Sequence, residues 1–89
     1  MKAVITVIGK DRVGIIAGVS QMLADCNVNV LDISQTIMQD MFTMIMLVDI
    51  NEISLAFNKL SDKLNALGSD MGLSITIQRE EIFNSMHRI

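Results

Sequence analysis

Residues 2–8 alternate Ala3, Ile5 and Val7 on one side with Lys2, Val4, Thr6 and Ile8 on the other. A period of two in largely β-branched residues predicts a strand. Gly9, Lys10, Asp11 and Arg12 break the alternation, and Val13, Ile16, Val19, Ser20 and Leu23 then recur at steps of three and four. That is the spacing of one helical face, so a helix is expected over residues 13–26. Asn27 follows where a helix end takes a left-handed residue, Asn being the usual choice after Gly. Residues 28–39 return to period two, with Leu31, Ile33 and Ile37 set against Asp32, Ser34 and Thr36. Asp40 marks a tight turn into residues 41–50, which read as a further strand, so the two form a hairpin. Ile53, Phe57, Leu60, Leu64, Leu67 and Met71 trace a second helical stripe, with Ser54 as its expected N-cap. The segment from Gly68 to Gly72 closes that helix, and Leu73, Ile75 and Ile77 alternate with Ser74, Thr76 and Gln78 in a last strand.

The order β-α-β-β-α-β predicts an α+β ferredoxin-like sandwich: a four-stranded antiparallel sheet with two helices on one face. Strand 41–50 is apolar in both alternating sets, Phe42, Met44, Met46, Val48 and Ile50 on one side and Ile45 and Leu47 on the other. Such a strand is expected to be buried on both faces. Two covers are available for the helix-free face. One is a second copy of the chain, since a large exposed apolar patch marks an interface. The other is the tail, where Ile82, Phe83, Met86 and Ile89 share a helical face behind Glu80 and Glu81, acids well placed at a helix start. The expected organisation is a domain over residues 1–79, a short C-terminal helical tail over 80–89, and self-association as a homodimer.

Composition narrows the functional classes. With 51% hydrophobic and 19% charged residues in 89, one folded core is expected rather than disorder or two domains around a cleft. A pI near 4.8 and seven scattered Lys and Arg offer no basic stripe for phosphates, so no direct nucleic-acid partner is expected. Phe42, Phe57 and Phe83 are the only aromatics, too few for a base-stacking platform. The longest charge-free run in the central strand is far short of the ~20 apolar residues that span a bilayer. The first residues do not resemble a secretory signal, and the single Cys26 fits a free thiol in a reducing compartment. A cytoplasmic protein with no membrane partner is the expectation.

Candidate chemistry is sparse. His87 stands three residues from the end, a poor place to hold a general base, and reads as a surface or tail-packing residue. Asp32 and Asp49 fall on paired strands but read as solvated edge carboxylates rather than an acid–base dyad. Glu80 and Glu81 lack the further oxygen ligands a metal needs, and no phosphate-binding loop occurs. No metal or cofactor is expected, nor an enzyme. The one polar cluster with a purpose is Gly9 to Gly14, between the first strand and the first helix. A helix N-terminus there presents free N–H groups and partial positive charge to a carboxylate or other anion. Gly14 in the first turn costs about 1 kcal/mol of helix propensity relative to Ala. Either a ligand or a neighbouring element must therefore approach closely, and Gly18 on the same face suits the second. Asp11 reads as an N-cap or as a ligand contact. Arg12 reads as a partner for a ligand carboxylate, for Asp25 or for Asp32.

The run Gly9-Lys10-Asp11-Arg12-Val13-Gly14-Ile15-Ile16-Ala17, followed by Asn27-Val28-Asn29-Val30-Leu31-Asp32, resembles the ACT domain, a regulatory amino-acid-binding module. The similarity spans nearly the whole chain and is greatest to small stand-alone single-ACT proteins like the repeats of the glycine cleavage system repressor, whose tails resemble residues 80–89. The resemblance implies a ligand at a subunit interface, between the loop after the first strand of one chain and the start of the second strand of its partner. Asp11, Arg12, Val13 and Gly14 then form the loop side, and Asn29 with Val28 and Val30 the strand side. The Asn29 amide can donate to a carboxylate and accept from an ammonium. Val13 stands where many members have Pro, Gly9 where serine-binding members have His, and Asp11 where those have Asn. The His position has thus lost a polar ligand group, and Asp11 suits an ammonium rather than a carboxylate. Two functions follow: a sensor that binds an amino acid or similar metabolite and signals to a separate effector protein, or a ligand-free dimerisation module that meets another protein through its Met-rich strand and tail.

Overall fold

The computed structural model describes residues 1–86; His87 and Ile89, and with them part of the expected tail face, lie outside the described residues. The element order is β1 (Lys2–Lys10), α1 (Ile15–Asp25), β2 (Asn29–Met38), β3 (Met41–Asp49), α2 (Phe57–Met71), β4 (Leu73–Arg79) and α3 (Glu80–Met86). The strands form one antiparallel sheet in the order β2-β3-β1-β4. The period-two residues decide its inner face. Ile5 lies between Met46 and Ile77, and Val7 between Met44 and Ile75. Ile15, Val19 and Leu23 of α1 and Leu60 and Leu64 of α2 join these residues in a single buried cluster, so both helices cover the same face. This is the expected ferredoxin-like sandwich.

The helix ends carry much of the chain's local detail. At the end of α1 the Asn27 N–H donates to the Ala24 carbonyl (3.1 Å) and the Val28 N–H to that of Leu23 (2.9 Å). Asn27, at φ 62, is the left-handed residue of this Schellman motif, as expected, and Val28 and Leu23 are both in the core. The Asn27 amide also donates to the Glu52 carbonyl (2.7 Å), tying the β3–α2 connection to α1. Ser54 is not the N-cap of α2. Ala56 holds that position with no side-chain cap, because the Ser54 segment is drawn back over α1, where its N–H donates to the Cys26 carbonyl (3.1 Å). Helix α2 runs through Gly68 and ends at Gly72, φ 71. A Cβ on Gly68 would lie 2.7 Å from the Leu73 carbonyl oxygen, so the absent side chain is what lets α2 settle on β4.

Within a single chain β3 is buried on one face only. Phe42, Met44, Met46 and Val48 are buried, but Ile45 is 40% exposed and Leu47 half-buried. The reason is the path of the tail: α3 packs against β1 and β4, and Val4 is the apolar outer residue of β1 that is buried. Of the tail residues expected to pack, Phe83 is half-buried and Ile82 exposed. Most of strand β2 projects beyond the helices. All of it is exposed apart from a half-buried Val30, and its pairing with β3 is interrupted by a bulge between Val30 and Asp32.

Candidate functional site

Strand β1 continues through Gly9 to Lys10 and then delivers the chain to α1 by a short loop. The Asp11 N–H donates to the Asp40 carbonyl (2.7 Å), which fastens the loop to the tip of the β2–β3 hairpin. Arg12 is turned back as well: its guanidinium donates to the Met71 carbonyl (3.3 Å), one of the last carbonyls of α2, where a cation complements the helix dipole. Its expected alternatives, Asp25 and Asp32, hold other bonds. Asp25 accepts from the Gln21 amide (2.9 Å) and Asp32 from the Ile33 N–H (2.9 Å). Val13 protrudes, 96% exposed.

Gly14 is the N-cap of α1, at φ 93, with open space where a Cβ would stand. Neither reason anticipated for this glycine is its own: left-handed backbone, not close approach, calls for it, whereas Gly18 does approach α2, its Cβ position 3.3 Å from the Met71 sulfur. Asp11 does not cap α1, which has no side-chain cap. The first α-helical bond there runs from the Gly18 N–H to the Gly14 carbonyl (2.9 Å), leaving the N–H groups of Ile15, Ile16 and Ala17 without intrahelical acceptors.

These groups border a surface pocket of about 250 Å³, lined by Asp11, Arg12, Gly14, Ile15, Ile16, Ala17, Gln35, Ile37 and Phe42. It offers a carboxylate, a guanidinium, helix N–H groups and one neutral amide over an apolar floor, the mixture that orients a small polar molecule. Three of the four loop residues expected at a site line it; Val13 does not. Gln35, Ile37 and Phe42 were missed from the sequence. The signal was present in the hairpin: the Gln39–Asp40 turn pairs Met38 with Met41, hence Ile37 with Phe42 and Gln35 with Met44, all on the helix side.

The strand-side residues lie elsewhere in the same chain. Ala24, Asn27, Val28, Asn29 and Glu52 line a separate depression of about 320 Å³ at the opposite end of α1. Asn29 is exposed there, Val28 is buried in the core and Val30 half-buried. A single chain therefore does not bring the two halves of the expected site together. Asp49 accepts from the Asn51 N–H (2.9 Å) and Asp32 from the Ile33 N–H, so each of the β-strand carboxylates considered as a dyad is bonded to nearby backbone. Among the described residues no group of three or more His, Cys, Asp or Glu could hold a metal ion, and no helix is long and apolar enough to cross a membrane.

The family model of the ACT domain matches residues 2–78. A UPF0237 protein of Clostridium acetobutylicum is 60% identical over 89 residues, the full length of both chains. The structure of an ACT domain protein from Streptococcus pneumoniae is 42% identical, covers 93% of each chain and superposes with a TM-score of 0.81. A structure described as a glycine cleavage system transcriptional repressor is 25% identical, with a TM-score of 0.74, and matches 88% of this chain over 44% of its own. ACT domains are in general ligand-sensing regulatory modules. With the family model spanning nearly all of its sheet and both covering helices, the chain belongs to the ACT domain family.

Proposed function

We propose that the chain is a homodimeric sensor that binds an amino acid or a similar small zwitterion between two copies and passes its occupancy to a separate effector protein. The observation that carries this reading is the pocket at the start of α1, with Asp11 to receive an ammonium and the N–H groups of Ile15, Ile16 and Ala17 to receive a carboxylate. The pocket borders β2, an edge strand whose free backbone groups are a template for another strand. Antiparallel pairing of two β2 strands about a two-fold axis sets the start of one beside the end of the other. Asn29 of the second copy then stands near the Ile37 end of the first, completing the site from both sides. Arg12, engaged with the end of α2, becomes a positioning residue for the loop.

A thermal-shift screen against the common amino acids at millimolar concentration tests this. A ligand at 100 times its dissociation constant adds about 2.7 kcal/mol of stability. The expected result is a shift with one chemical class, abolished by Asp11→Ala and by Asn29→Ala while the unliganded melting point moves by a degree or two. No shift with any of them favours the ligand-free dimerisation module. Mass spectrometry of ligand co-purified with the protein would identify the occupant directly.

A further inference from the structure

The tip of the β2–β3 hairpin sets two methionines apart from those of the core. Met44 and Met46 are fully buried, and Met22 and Met71 pack against the core cluster. Met38 and Met41 instead stand 70% and 49% exposed on either side of the Gln39–Asp40 turn. They are direct cross-strand partners, and Met41 is also the partner of Lys10 on β1. Phe42 is buried on the helix side, so the alternation of β3 puts Met41, and with it Met38 and Lys10, on the opposite face. Two thioethers and an ammonium thus share one row across three strands, with neighbouring Cβ atoms about 5 Å apart. Helix α3 packs on β1 and β4, and pairing at the β2 edge runs through backbone groups in the plane of the sheet, so both leave the two sulfurs open.

An exposed thioether has two chemistries, binding of a soft metal ion and oxidation to the sulfoxide. The Lys10 ammonium selects between them, because it repels a metal cation but donates to a sulfoxide oxygen. We propose that Met38 and Met41 are a paired oxidation site for hydroperoxides, and that their state is transmitted to the loop after β1. A sulfur lone pair attacks the peroxide's hydroxyl oxygen, and the O–O bond breaks as the S–O bond forms. The proton of the transferred oxygen passes to the departing one, which leaves as water or an alcohol. Each sulfur is oxidised by two electrons and the peroxide reduced by two; a dithiol reverses the step, becoming a disulfide and releasing water. The path to the loop is short. Asp40, next to Met41, accepts the Asp11 N–H at 2.7 Å, and Asp11 lines the pocket at the start of α1. Gln39 holds the turn at φ 60, a left-handed backbone that is costly for a residue with a Cβ, so closure of the turn leans on the apolar Met38–Met41 pair beside it. Sulfoxides make both side chains polar, loosen that pair and free the Asp11 N–H. Loop and anchor respond in this way whether or not an amino acid binds beside them.

Graded treatment of the whole chain with hydrogen peroxide, read by peptide mass spectrometry and amide hydrogen exchange, tests the proposal. Met38 and Met41 are expected to gain one oxygen each while Met44 and Met46 gain none. The Asp11 amide is then expected to exchange about tenfold faster while the Val19 amide, inside α1, keeps its rate. Methionine sulfoxide reductase should restore slow exchange at Asp11, a reversal that needs no variant. The double variant Met38→Leu/Met41→Leu, at exposed positions, should keep slow exchange at every dose. Survival of both thioethers at a dose that oxidises Met1, 59% exposed at the far end of β1, would overturn the site. An Asp11 amide that exchanges equally before and after oxidation, or a Val19 amide that accelerates with it, would overturn the transmission to the loop.

Discussion

Gly14 and Asn27 bracket α1 with two left-handed residues, and their chemistry differs. A Cβ at position 14 meets nothing within 4 Å, so Gly14→Ala tests backbone conformation alone. It is expected to cost about 1–2 kcal/mol, the penalty of left-handed backbone for an L side chain, read as a lower midpoint in urea. At Asn27 the amide adds a bond to the Glu52 carbonyl. Asn27→Gly keeps the conformation and loses the bond, whereas Asn27→Ala loses both, so the expected order of melting points is wild type, then Gly, then Ala. Asn27 was legible in the sequence because a cap preference is local. The reason for Gly14 was not, since nothing along the chain reveals the sign of φ. Of the two readings of Asp11, the cap fails for a related reason: Gly14 holds the N-cap position, and the Asp11 N–H is held by Asp40, a contact made only when the hairpin returns to the loop.

Among the elements, α2 shows how a helix and a strand share space through one missing atom. Gly68 faces the Leu73 carbonyl, which belongs to backbone and cannot yield. Gly68→Ala is therefore expected to destabilise by about 1–3 kcal/mol as α2 is pushed from β4. Gly18→Ala should behave oppositely. Its Cβ would meet the Met71 sulfur at 3.3 Å, the end of a flexible side chain, and Ala gains roughly 1 kcal/mol of helix propensity over Gly. Chemical denaturation of the two variants should give opposite signs, or at the least a near-neutral Gly18→Ala. Five of the six elements of the sandwich were readable from their periods because each packs one face, and β2 keeps its period of two although it is exposed on both. Element ends were less so: α2 begins after Ala56 rather than at Ser54, because the connection before it follows the tertiary bonds of Asn27 and Cys26.

For the whole molecule the question is how two helices share a four-stranded sheet. They cover β3, β1 and β4 and leave β2 projecting, with Ile33 and Ile37 exposed on the helix side. Ile33→Lys is expected to leave the fold intact and to weaken the proposed dimerisation through β2 by at least tenfold, measured by sedimentation of the chain, because it sets two like charges at the pairing edge. In one chain the residues of the candidate site stand apart, the loop residues at one end of α1 and Asn29 at the other. By itself the sequence determined the elements, their order and the inner-face core from Ala3 to Ile77, and it singled out the loop after β1, three of whose residues line the candidate pocket, since periods, turns and family motif are properties of neighbouring residues. Only the tertiary structure decided that Gln35, Ile37 and Phe42 share a pocket with Asp11, that Arg12 answers α2, and that Ile8 and Ile45 stay in solvent. Those facts depend on register between strands and on where each helix comes to rest, and both are fixed by contacts between residues distant along the chain.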